Sequence, residues 1–257
     1  MNQENNIKFN FPTETVNLPS KGLVYSKNNL LSGGIVEIKY MTAREEDILT
    51  NINYIKQNIV VEKLLQSLLV TKINIDDLIA EDKDAILIAA RILGYGKDYT
   101  FKHYSPVTKK EEQITVDLST LEEKELDESI LIEPNKNLFE YIFKTSGNRI
   151  TFKMLTGHDE KNIERELEGL KKISPNGNSE ITTRLKHTIQ SVNGEETPSA
   201  IREFVDNYLL AKESREFRAY VRDISPGIQM KFNYSTENYT EEGIDIPMTI
   251  NFLWPEL

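Results

Sequence analysis

The side chains that most often perform catalysis or bind metals are few and widely spaced in this sequence. The histidines, His103, His158 and His187, are far apart, and none belongs to an H-E-x-x-H zinc motif. There is no cysteine, which excludes disulfides, thiol catalysis and cysteine-ligated metals. A phosphate-binding G-x-x-x-x-G-K-[ST] loop, a dinucleotide-binding G-x-G-x-x-G turn and a G-x-S-x-G nucleophile elbow are all missing. The sequence therefore predicts no catalytic residue, no metal ligand and no cofactor.

The densest group of carboxylates lies between residues 122 and 133. Around a single lysine at position 124 it contains Glu122, Glu123, Glu125, Asp127, Glu128 and Glu133. Paired carboxylates act as acid and base only where burial or a neighbouring charge drives their pKa values apart, and this segment has few apolar neighbours. Such a run is ordinarily a solvated face. We therefore expect exposed surface here, and an enzyme is the class of protein that the sequence supports least.

The charge and length of the chain favour a water-soluble protein that binds other proteins. Its 257 residues are enough for a sizeable core and correspond to somewhat under two average domains. Thirty-one lysines and arginines against 41 acids give a net charge of −10, which disfavours binding to nucleic acid or to an anionic membrane. No apolar run reaches the roughly 18 to 20 residues of a membrane helix, and the N-terminus lacks a signal-peptide pattern. We expect synthesis in the cytoplasm and no membrane partner.

The first quarter of the chain is predicted to hold an arm and part of a hairpin. Residues 1–24 are mostly polar with two prolines, which predicts an extended N-terminal arm able to lie along another surface. The stretch at 18–25 has turn chemistry at Pro19 and Gly22 followed by a short β-type run, which is predicted to pair with a second run at 35–40. Thr42 and Glu45 then match a capping box that starts the first of two or three short helices.

One more helix completes the predicted subdomain of residues 25–96. Asp82 is expected to cap its N-terminus, and Gly94 is expected to end it in a left-handed conformation. From residue 97 the apolar period changes from 3.6 to 2, which indicates strands. The sequence up to residue 96 therefore predicts a hairpin followed by a mainly helical subdomain.

The remainder of the chain is predicted to alternate between strands and helices, which gives an α+β fold. Residues 97–155 contain a first hairpin, the acidic segment and two paired strands. Residues 156–224 are helical, with Thr156 capping a helix and a second helix running from about Ile181 toward Gly194. Residues 225–257 contain a second hairpin and a C-terminal tail. The helical segments are thus bracketed by hairpins.

The two hairpins, at 99–118 and 229–246, are similar although about 130 residues separate them. Each has a strand in which apolar and polar residues alternate, a tight tip and a second strand of the same kind. Zinc knuckles have this shape, and two knuckles together complete one tetrahedral metal site. The four ligand positions would be Ser105, Thr108, Ser235 and Asn238, none of which is a usable zinc ligand. By shape alone, two unrelated hairpins are the favoured interpretation.

The order of several short motifs resembles one known family. The sequence contains L-P-S-K-G-x-x-Y at 18–25, M-T-A-x-E-E-D-I-L-T at 41–50, K-L-L at 63–65, A-R-I-x-x-Y-G-like residues at 90–96 and I-P-M-T-I-N-F-L-W-P at 246–255. In this order they resemble the baseplate hub subunit, gene-product-26 type, of T-even-like contractile-tailed bacteriophages. The likeness covers most of residues 18–255 and is least specific in the acidic segment and in the helices at 157–195.

The resemblance implies a zinc ribbon from which this sequence departs. Members of the family often carry C-P-x-C-G in the first hairpin and C-x-x-C-G before the final I-P stretch, whereas this chain has S-P-V-T-K at 105–109 and S-T-E-N-Y at 235–239. Loss of half a four-thiolate site leaves exposed, oxidation-prone thiols, so joint replacement is physically reasonable. We therefore expect two zinc-ribbon-like β-hairpins that lack cysteines and are held by hydrogen bonds and packing.

The resemblance further implies a structural, non-enzymatic component of a contractile-tail baseplate. Such a subunit is made in the bacterial host cytoplasm, resides in the virion and binds other baseplate and tail proteins in a hetero-oligomeric assembly. Aromatic anchors dominate interfaces, although Trp254 could equally fold into the chain's own core. The candidate interface residues are Leu18, Pro19, Lys21, Phe252, Leu253 and Trp254.

Two alternatives remain open from the sequence. The first is a hub or tail assembly chaperone that is absent from the mature virion. The second is a nucleic-acid-binding module with ribbon-like hairpins, suggested by the paired lysines at 109–110 and 171–172. The net charge of −10 argues against the second, because phosphate neutralisation supplies most non-specific affinity.

Overall fold

The computed structural model describes residues 11–174, 177–236 and 239–254. Within them the strands are β1 (Thr13–Asn17), β2 (Ile35–Lys39), β3 (Asp98–Ser105), β4 (Lys110–Asp117), β5 (Glu123–Lys124), β6 (Phe139–Ile142), β7 (Arg149–Phe152), β8 (Ile189–Val192), β9 (Gly227–Ile228), β10 (Lys231–Ser235) and β11 (Thr240–Asp245). The α-helices are α1 (Ala43–Leu49), α2 (Ile52–Lys56), α3 (Val60–Leu68), α4 (Ala80–Tyr95), α5 (Gly157–Ile173), α6 (Glu180–Thr188), α7 (Pro198–Glu203), α8 (Ala211–Ile224) and α9 (Ile250–Leu253).

The strands form small antiparallel sheets rather than one large sheet. Four sheets have two strands each, β1–β2, β3–β4, β5–β9 and β10–β11, and one has three strands in the order β6–β7–β8. Helices pack against these sheets, and one cluster of buried apolar side chains extends from Val16 to Leu253. The prediction of an α+β fold is confirmed. No helix in the described part of the chain is long and apolar enough to cross a membrane.

The N-terminal segment is part of the fold rather than a separate arm, as far as it is described. β1 pairs along its whole length with β2, from Thr13 opposite Lys39 to Asn17 opposite Ile35. Val16 in β1 is buried. The prediction of a free arm is therefore wrong for residues 11–24, and residues 1–10 lie outside the described part.

The turns predicted at Pro19 and Gly22 are present, but the short strand expected after them is wrong, because the segment continues in tight turns up to residue 25. Gly22 has a φ of 76°, and a Cβ there would lie 2.5 Å from the carbonyl oxygen of Ser32. Only glycine fits such a close left-handed turn. The hairpin predicted for residues 18–40 instead has β1 as its first strand, with the turns at 18–25 and the 3₁₀ helix Leu30–Gly33 in the connection to β2.

The predicted helices after Thr42 are confirmed, whereas both ends of the next helix differ from prediction. α1, α2 and α3 follow one another, and Asn51 caps α2 with its side chain. α4 starts at Ala80 after the cap residue Ile79, so Asp82 lies inside its first turn. Gly94 is helical, and a Cβ there would lie 2.1 Å from Cε of Met41; Gly96, with a φ of 84°, ends the helix.

The capping box at α1 is built around a buried carboxylate. Glu45 has no exposed surface, and its Oε2 accepts hydrogen bonds from both the N–H and the hydroxyl of Thr42. Its Oε1 accepts from Lys39 Nζ at 2.8 Å and from Ser67 Oγ at 2.5 Å. Burial alone would raise the pKa of Glu45, but the bonds from Lys39, Ser67 and Thr42 lower it to about 2. Glu45 thereby joins β2, α1 and α3.

We expect Glu45 to contribute to acid unfolding. Since its pKa in the folded protein lies below the ordinary 4.5, ionised Glu45 stabilises the fold above that pH, and this stabilisation is lost as the pH falls toward about 2. Glu45→Gln should lower the free energy of unfolding by on the order of 2 kcal/mol near neutral pH and flatten its decline in acid. Urea unfolding at a series of pH values measures this.

The matched control is Asp47→Asn, which changes an exposed acid on the same helix. The free energy of unfolding of this variant should decline in acid over the same pH range as that of the wild type. A Glu45→Gln variant whose stability follows the wild-type curve at every pH would contradict the role assigned to this carboxylate.

Between residues 139 and 192, two predictions are confirmed and a third is wrong. β6 and β7 pair as expected, and Thr156 caps α5 through a capping box with Asp159. The predicted continuation of the second helix to about residue 194 is wrong, because α6 ends at Thr188 and residues 189–192 form β8 against β7. Ile189 and Val192 are buried there, so sheet packing prevails over the helical pattern.

An aromatic core holds this sheet against α8. Phe217 of α8 is fully buried, and its ring lies 5.1 Å from that of Phe152 and 6.0 Å from that of Phe143. Edge-on ring pairs at such distances add to the area that they bury. These rings therefore form the centre of the part of the core that contains β6 to β8.

The acidic segment is exposed, as the sequence predicts. The side chains on the surface are Glu122, Glu123, Glu125, Asp127, Glu128 and Glu133. Leu126, in their midst, is buried, and its N–H donates to the carbonyl of Pro19. Glu123 and Lys124 form β5, which pairs with β9. The segment therefore binds two distant parts of the chain while its carboxylates remain solvated.

Candidate interface between the two hairpins

Both predicted hairpins are present, and they lie side by side. β3 pairs with β4 over eight residue pairs, and β10 pairs with β11. The ring of Phe101 in β3 lies 6.1 Å, edge-on, from that of Phe232 in β10. The first tip is shorter than the roughly eight residues expected, since the strands reach Ser105 and Lys110. The two hairpins thus share an aromatic contact.

The C-terminal segment extends this contact. The Tyr99 ring lies 4.9 Å from the ring of Phe252, and its hydroxyl donates to the carbonyl of Pro247 at 3.1 Å. Phe252 and Leu253 are buried. The segment after the second hairpin therefore packs onto the base of the first hairpin.

The tip of the first hairpin is organised around Ser105. This residue is fully buried, and its Oγ accepts hydrogen bonds from the backbone N–H groups of Val107 and Thr108, each at 3.3 Å. A side-chain acceptor at the start of a turn that binds amides two and three residues later fixes the turn locally. Lys109, with a φ of 57°, completes the reversal. A sulfur in place of Ser105 Oγ would face the same two amides.

Five polar side chains make contacts between the two hairpins. Glu241 of β11 accepts a hydrogen bond from Ser105 Oγ at 3.1 Å, and its other oxygen lies 2.7 Å from His103 Nε2. Glu112 of β4 accepts from the Tyr239 hydroxyl at 2.5 Å. We call His103, Ser105, Glu112, Tyr239 and Glu241 the hairpin joint.

Charge-assisted bonds strengthen one half of this joint. Glu112 also accepts from Thr108 Oγ at 2.5 Å. The hydrogen bonds from the hydroxyls of Thr108 and Tyr239 lower the pKa of Glu112. The hydrogen bond between Tyr239 and Glu112 also raises the pKa of Tyr239. Each partner therefore keeps the protonation state that the bond requires. Hydrogen bonds to an ionised group are about twice as strong as neutral ones.

The predicted ligand positions are only partly brought together. Ser105 and Thr108 lie in or beside the hairpin joint, whereas Ser235 is exposed and lies 3.2 Å, Oγ to Oγ, from Thr240. Asn238 lies outside the described residues. Among the residues that are described, no three histidine or acidic side chains converge in a way that could hold a metal ion.

The sequence alone did not reveal the joint residues His103, Glu112, Tyr239 and Glu241. A partial signal was present in the first hairpin, since His103 and Ser105 are two apart and therefore lie on one face of β3. His103 also stands opposite Glu112 in the register. The contact with Glu241 joins positions 138 residues apart, and nothing local marks it.

The candidate interface residues fall into two groups. Leu18, Pro19, Phe252 and Leu253 are buried within the chain's own core, which leaves them little surface to offer a partner. Lys21 is exposed and pairs with Glu125. Trp254 is 39 % exposed. Of the predicted anchors, Lys21 and Trp254 present side chains to solvent.

The buried residues of the L-P-S-K-G-x-x-Y segment serve a different purpose, because they surround Asp82. This carboxylate has no exposed surface and accepts three hydrogen bonds, from Ser20 N–H at 2.9 Å, Ser20 Oγ at 2.6 Å and the Tyr25 hydroxyl at 2.5 Å. The Tyr25 oxygen in turn accepts from the N–H of Ile79. The segment is thus tied to the first turn of α4.

Burial dominates the protonation of this group. It raises the pKa of Asp82, against the donors on Ser20 and Tyr25, which lower it. Burial also raises the pKa of Tyr25 far above its ordinary range, and the nearby Asp82 adds to this. The raised pKa keeps the proton on the Tyr25 hydroxyl, which donates it in the hydrogen bond to Asp82.

We expect Glu241→Ala to loosen the hairpin joint. The change removes the acceptor of the buried Ser105 hydroxyl and the partner of His103, at a cost of about 1 to 3 kcal/mol. Amide hydrogen exchange should accelerate in β10, β11 and the first tip more than in β6 to β8. The control is Glu242→Ala, one residue further on and exposed. Equal exchange rates in the two variants would show that the joint does not hold the hairpins together.

Comparison with known proteins leaves this chain without an assigned relative: no family model matches it, and neither a curated protein nor a solved structure is significantly similar.

Proposed function

We propose that this chain is a structural, non-enzymatic subunit of a bacteriophage contractile-tail baseplate, which acts in the hub through contacts with other tail proteins. The proposal rests on the motif order that resembles baseplate hub subunits. Its residence in the virion and its hetero-oligomeric partners belong to the same proposal.

The observation that carries the proposal is where the motif residues lie. Ser20 and Tyr25 of the first motif bind Asp82 of α4, and Met41 of the second fills the space beside Gly94 of the fourth. Arg91, also in the fourth, donates to the carbonyls of Gly96 and Asp98. The motifs therefore meet in one framework, as expected of residues that specify a shared fold.

The last motif joins this framework through the first hairpin. Tyr99 contacts both Pro247 and Phe252. Motifs from the start, middle and end of the chain thus depend on one another for packing, which supports treating them as parts of one pattern rather than as isolated short matches. This supports carrying the proposed role over to the chain as a whole.

We further propose that the two hairpins are a degenerate zinc ribbon. Side-by-side packing of the hairpins and the amide-bonded Ser105 at the first tip support this. The hairpin joint links the two hairpins without a metal: Glu241 accepts from the hydroxyl of Ser105, and Glu112 accepts from the hydroxyl of Tyr239, each on the opposite hairpin. Hydrogen bonds thereby take over the cross-linking that a metal would supply.

The test is fractionation of infected cells that carry a tagged copy of the gene. A baseplate subunit should co-sediment with tail-sized assemblies and should cross-link to other tail proteins through surface groups near Lys21 and Trp254. An assembly chaperone should co-sediment with intermediates but not with finished particles. A chain that sediments only as a free monomer of about 30 kDa would contradict both roles.

A further inference from the structure

A groove runs between the outer edge of β1 and helix α4. It has a volume of about 320 Å³. Its floor is apolar and formed by half-buried side chains, Ala89, Ile92, Leu93, Leu121 and Ile228, with buried Ile88 beneath them. Its other wall is formed by residues Glu14 to Asn17 of β1. A helix and a strand edge thus form the two sides of one channel.

The edge of β1 that faces away from β2 is open. The N–H of Leu18 donates to Gly34 and the N–H of Tyr40 to Pro12, so even-numbered residues of this strand point their backbone groups at β2. Thr13, Thr15 and Asn17 point theirs the other way. Within the described part of the chain, these groups have no hydrogen-bond partner. An open edge of this kind is a template for one more strand.

The negative charge along the groove favours a partner strand that carries a basic residue. The charged residues that line it are Glu14 and Glu123, both exposed, and no described lysine or arginine lines it. Partial desolvation of its carboxylate, together with Glu125 and Asp82, raises the pKa of Glu123 in spite of the opposing effect of Lys21. A cation placed there would relieve this unfavourable charge. The groove is therefore complementary to a segment that combines apolar side chains with a basic one.

We propose that this groove is a docking site for an extended segment of a partner protein, which adds a strand to the free edge of β1, inserts alternate apolar side chains against α4, and places a lysine or arginine near Glu14 and Glu123. Backbone bonds to Thr13, Thr15 and Asn17 supply affinity, and the apolar floor supplies selectivity, as in other strand-addition complexes. The inference does not depend on the assembly to which the partner belongs.

The test is selection of random peptides of about ten residues, long enough to span the edge of β1, displayed against the full-length protein. We expect enriched peptides to alternate apolar residues with lysine or arginine. Fluorescence anisotropy with the best synthetic peptide should give an affinity that Ala89→Glu lowers at least about tenfold, since the new carboxylate lies on the apolar floor. N-methylation of alternate peptide amides should abolish binding, because it removes the donors that pair with β1.

The control variant is Asn53→Glu, which adds the same charge at an exposed position of α2 outside the groove. It should bind the peptide as the wild type does, and circular dichroism should show both variants folded. Failure to enrich alternating peptides, or equal binding to Ala89→Glu and wild type, would overturn the proposal. It would also be overturned if peptides bind only after removal of residues 2–10, or if β1 mediates a stable dimer, because the occupant would then be the chain itself.

Discussion

Restoring four thiols should turn the hairpin tips into a zinc site. The variant carries Ser105→Cys, Thr108→Cys, Ser235→Cys and Asn238→Cys, together with Glu241→Gln. The last change is needed because a four-thiolate zinc centre has a net charge of about −2, and the Glu241 carboxylate lies 3.1 Å from Ser105 Oγ. We expect one zinc per chain, bound with the roughly 10 to 16 kcal/mol typical of structural zinc sites.

The physical reason is preorganisation of the first tip. Ser105 Oγ already accepts two backbone amides, so a thiolate there would have its negative charge partly compensated before the metal binds. Competition with a chromogenic chelator under reducing conditions gives the affinity, and cobalt substitution reports tetrahedral thiolate geometry.

A variant with only Ser105→Cys and Thr108→Cys is the matched control. It keeps one half of the proposed site and should bind zinc far more weakly, because two ligands cannot complete the tetrahedral shell. A four-thiol variant that folds, stays monomeric and binds zinc no better than this control would contradict the degenerate-ribbon proposal.

Asp82→Ala should be among the most damaging single substitutions in the chain. It leaves the N–H and hydroxyl of Ser20 and the hydroxyl of Tyr25 without their acceptor in a fully buried site. Unsatisfied buried donors make this cost about 3 to 5 kcal/mol of unfolding free energy. Since a domain is stable by only about 5 to 15 kcal/mol, the midpoint of urea unfolding should fall sharply.

Two further variants test whether the loss of stability comes from the hydrogen bonds to Asp82. Asp47→Ala, an exposed change on α1, should alter stability by no more than about 0.5 kcal/mol. Tyr25→Phe combined with Asp82→Ala should cost less than the sum of the two single changes, because one hydrogen bond is lost in both. A loss below about 1 kcal/mol in Asp82→Ala would show that the motif at 18–25 is not anchored through this carboxylate.

Sequence patterns predicted features that short-range interactions determine. The capping box at Thr42 and the helix cap at Thr156 depend on residues within three positions of each other, and the β3–β4 hairpin on two strands in which apolar and polar residues alternate. The predicted capping role of Asp82 is wrong, because Asp82 instead accepts hydrogen bonds from Ser20 and Tyr25. An acid at the start of a helix has the same local sequence pattern in both cases.

Long-range pairing accounts for the remaining differences. The sequence does not predict β1, because four of its five side chains are exposed and only Val16 is buried. Such a segment has the polar composition of a loop. The strand β8 continued an apolar helical pattern, and its pairing with β7 appears only when the sheet is assembled. The hairpin joint likewise depends on Glu241 reaching residues that are distant along the chain. Periodicity within a segment carries no information on such contacts.

The most direct test of the proposed role is quantitative mass spectrometry of purified phage particles and of their isolated baseplates. A structural hub subunit predicts that this chain is present in a fixed, small-integer ratio to the other baseplate proteins, and that it remains with the baseplate when tail tube and sheath are removed. Absence of the chain from the finished particles and from the isolated baseplates would contradict the account.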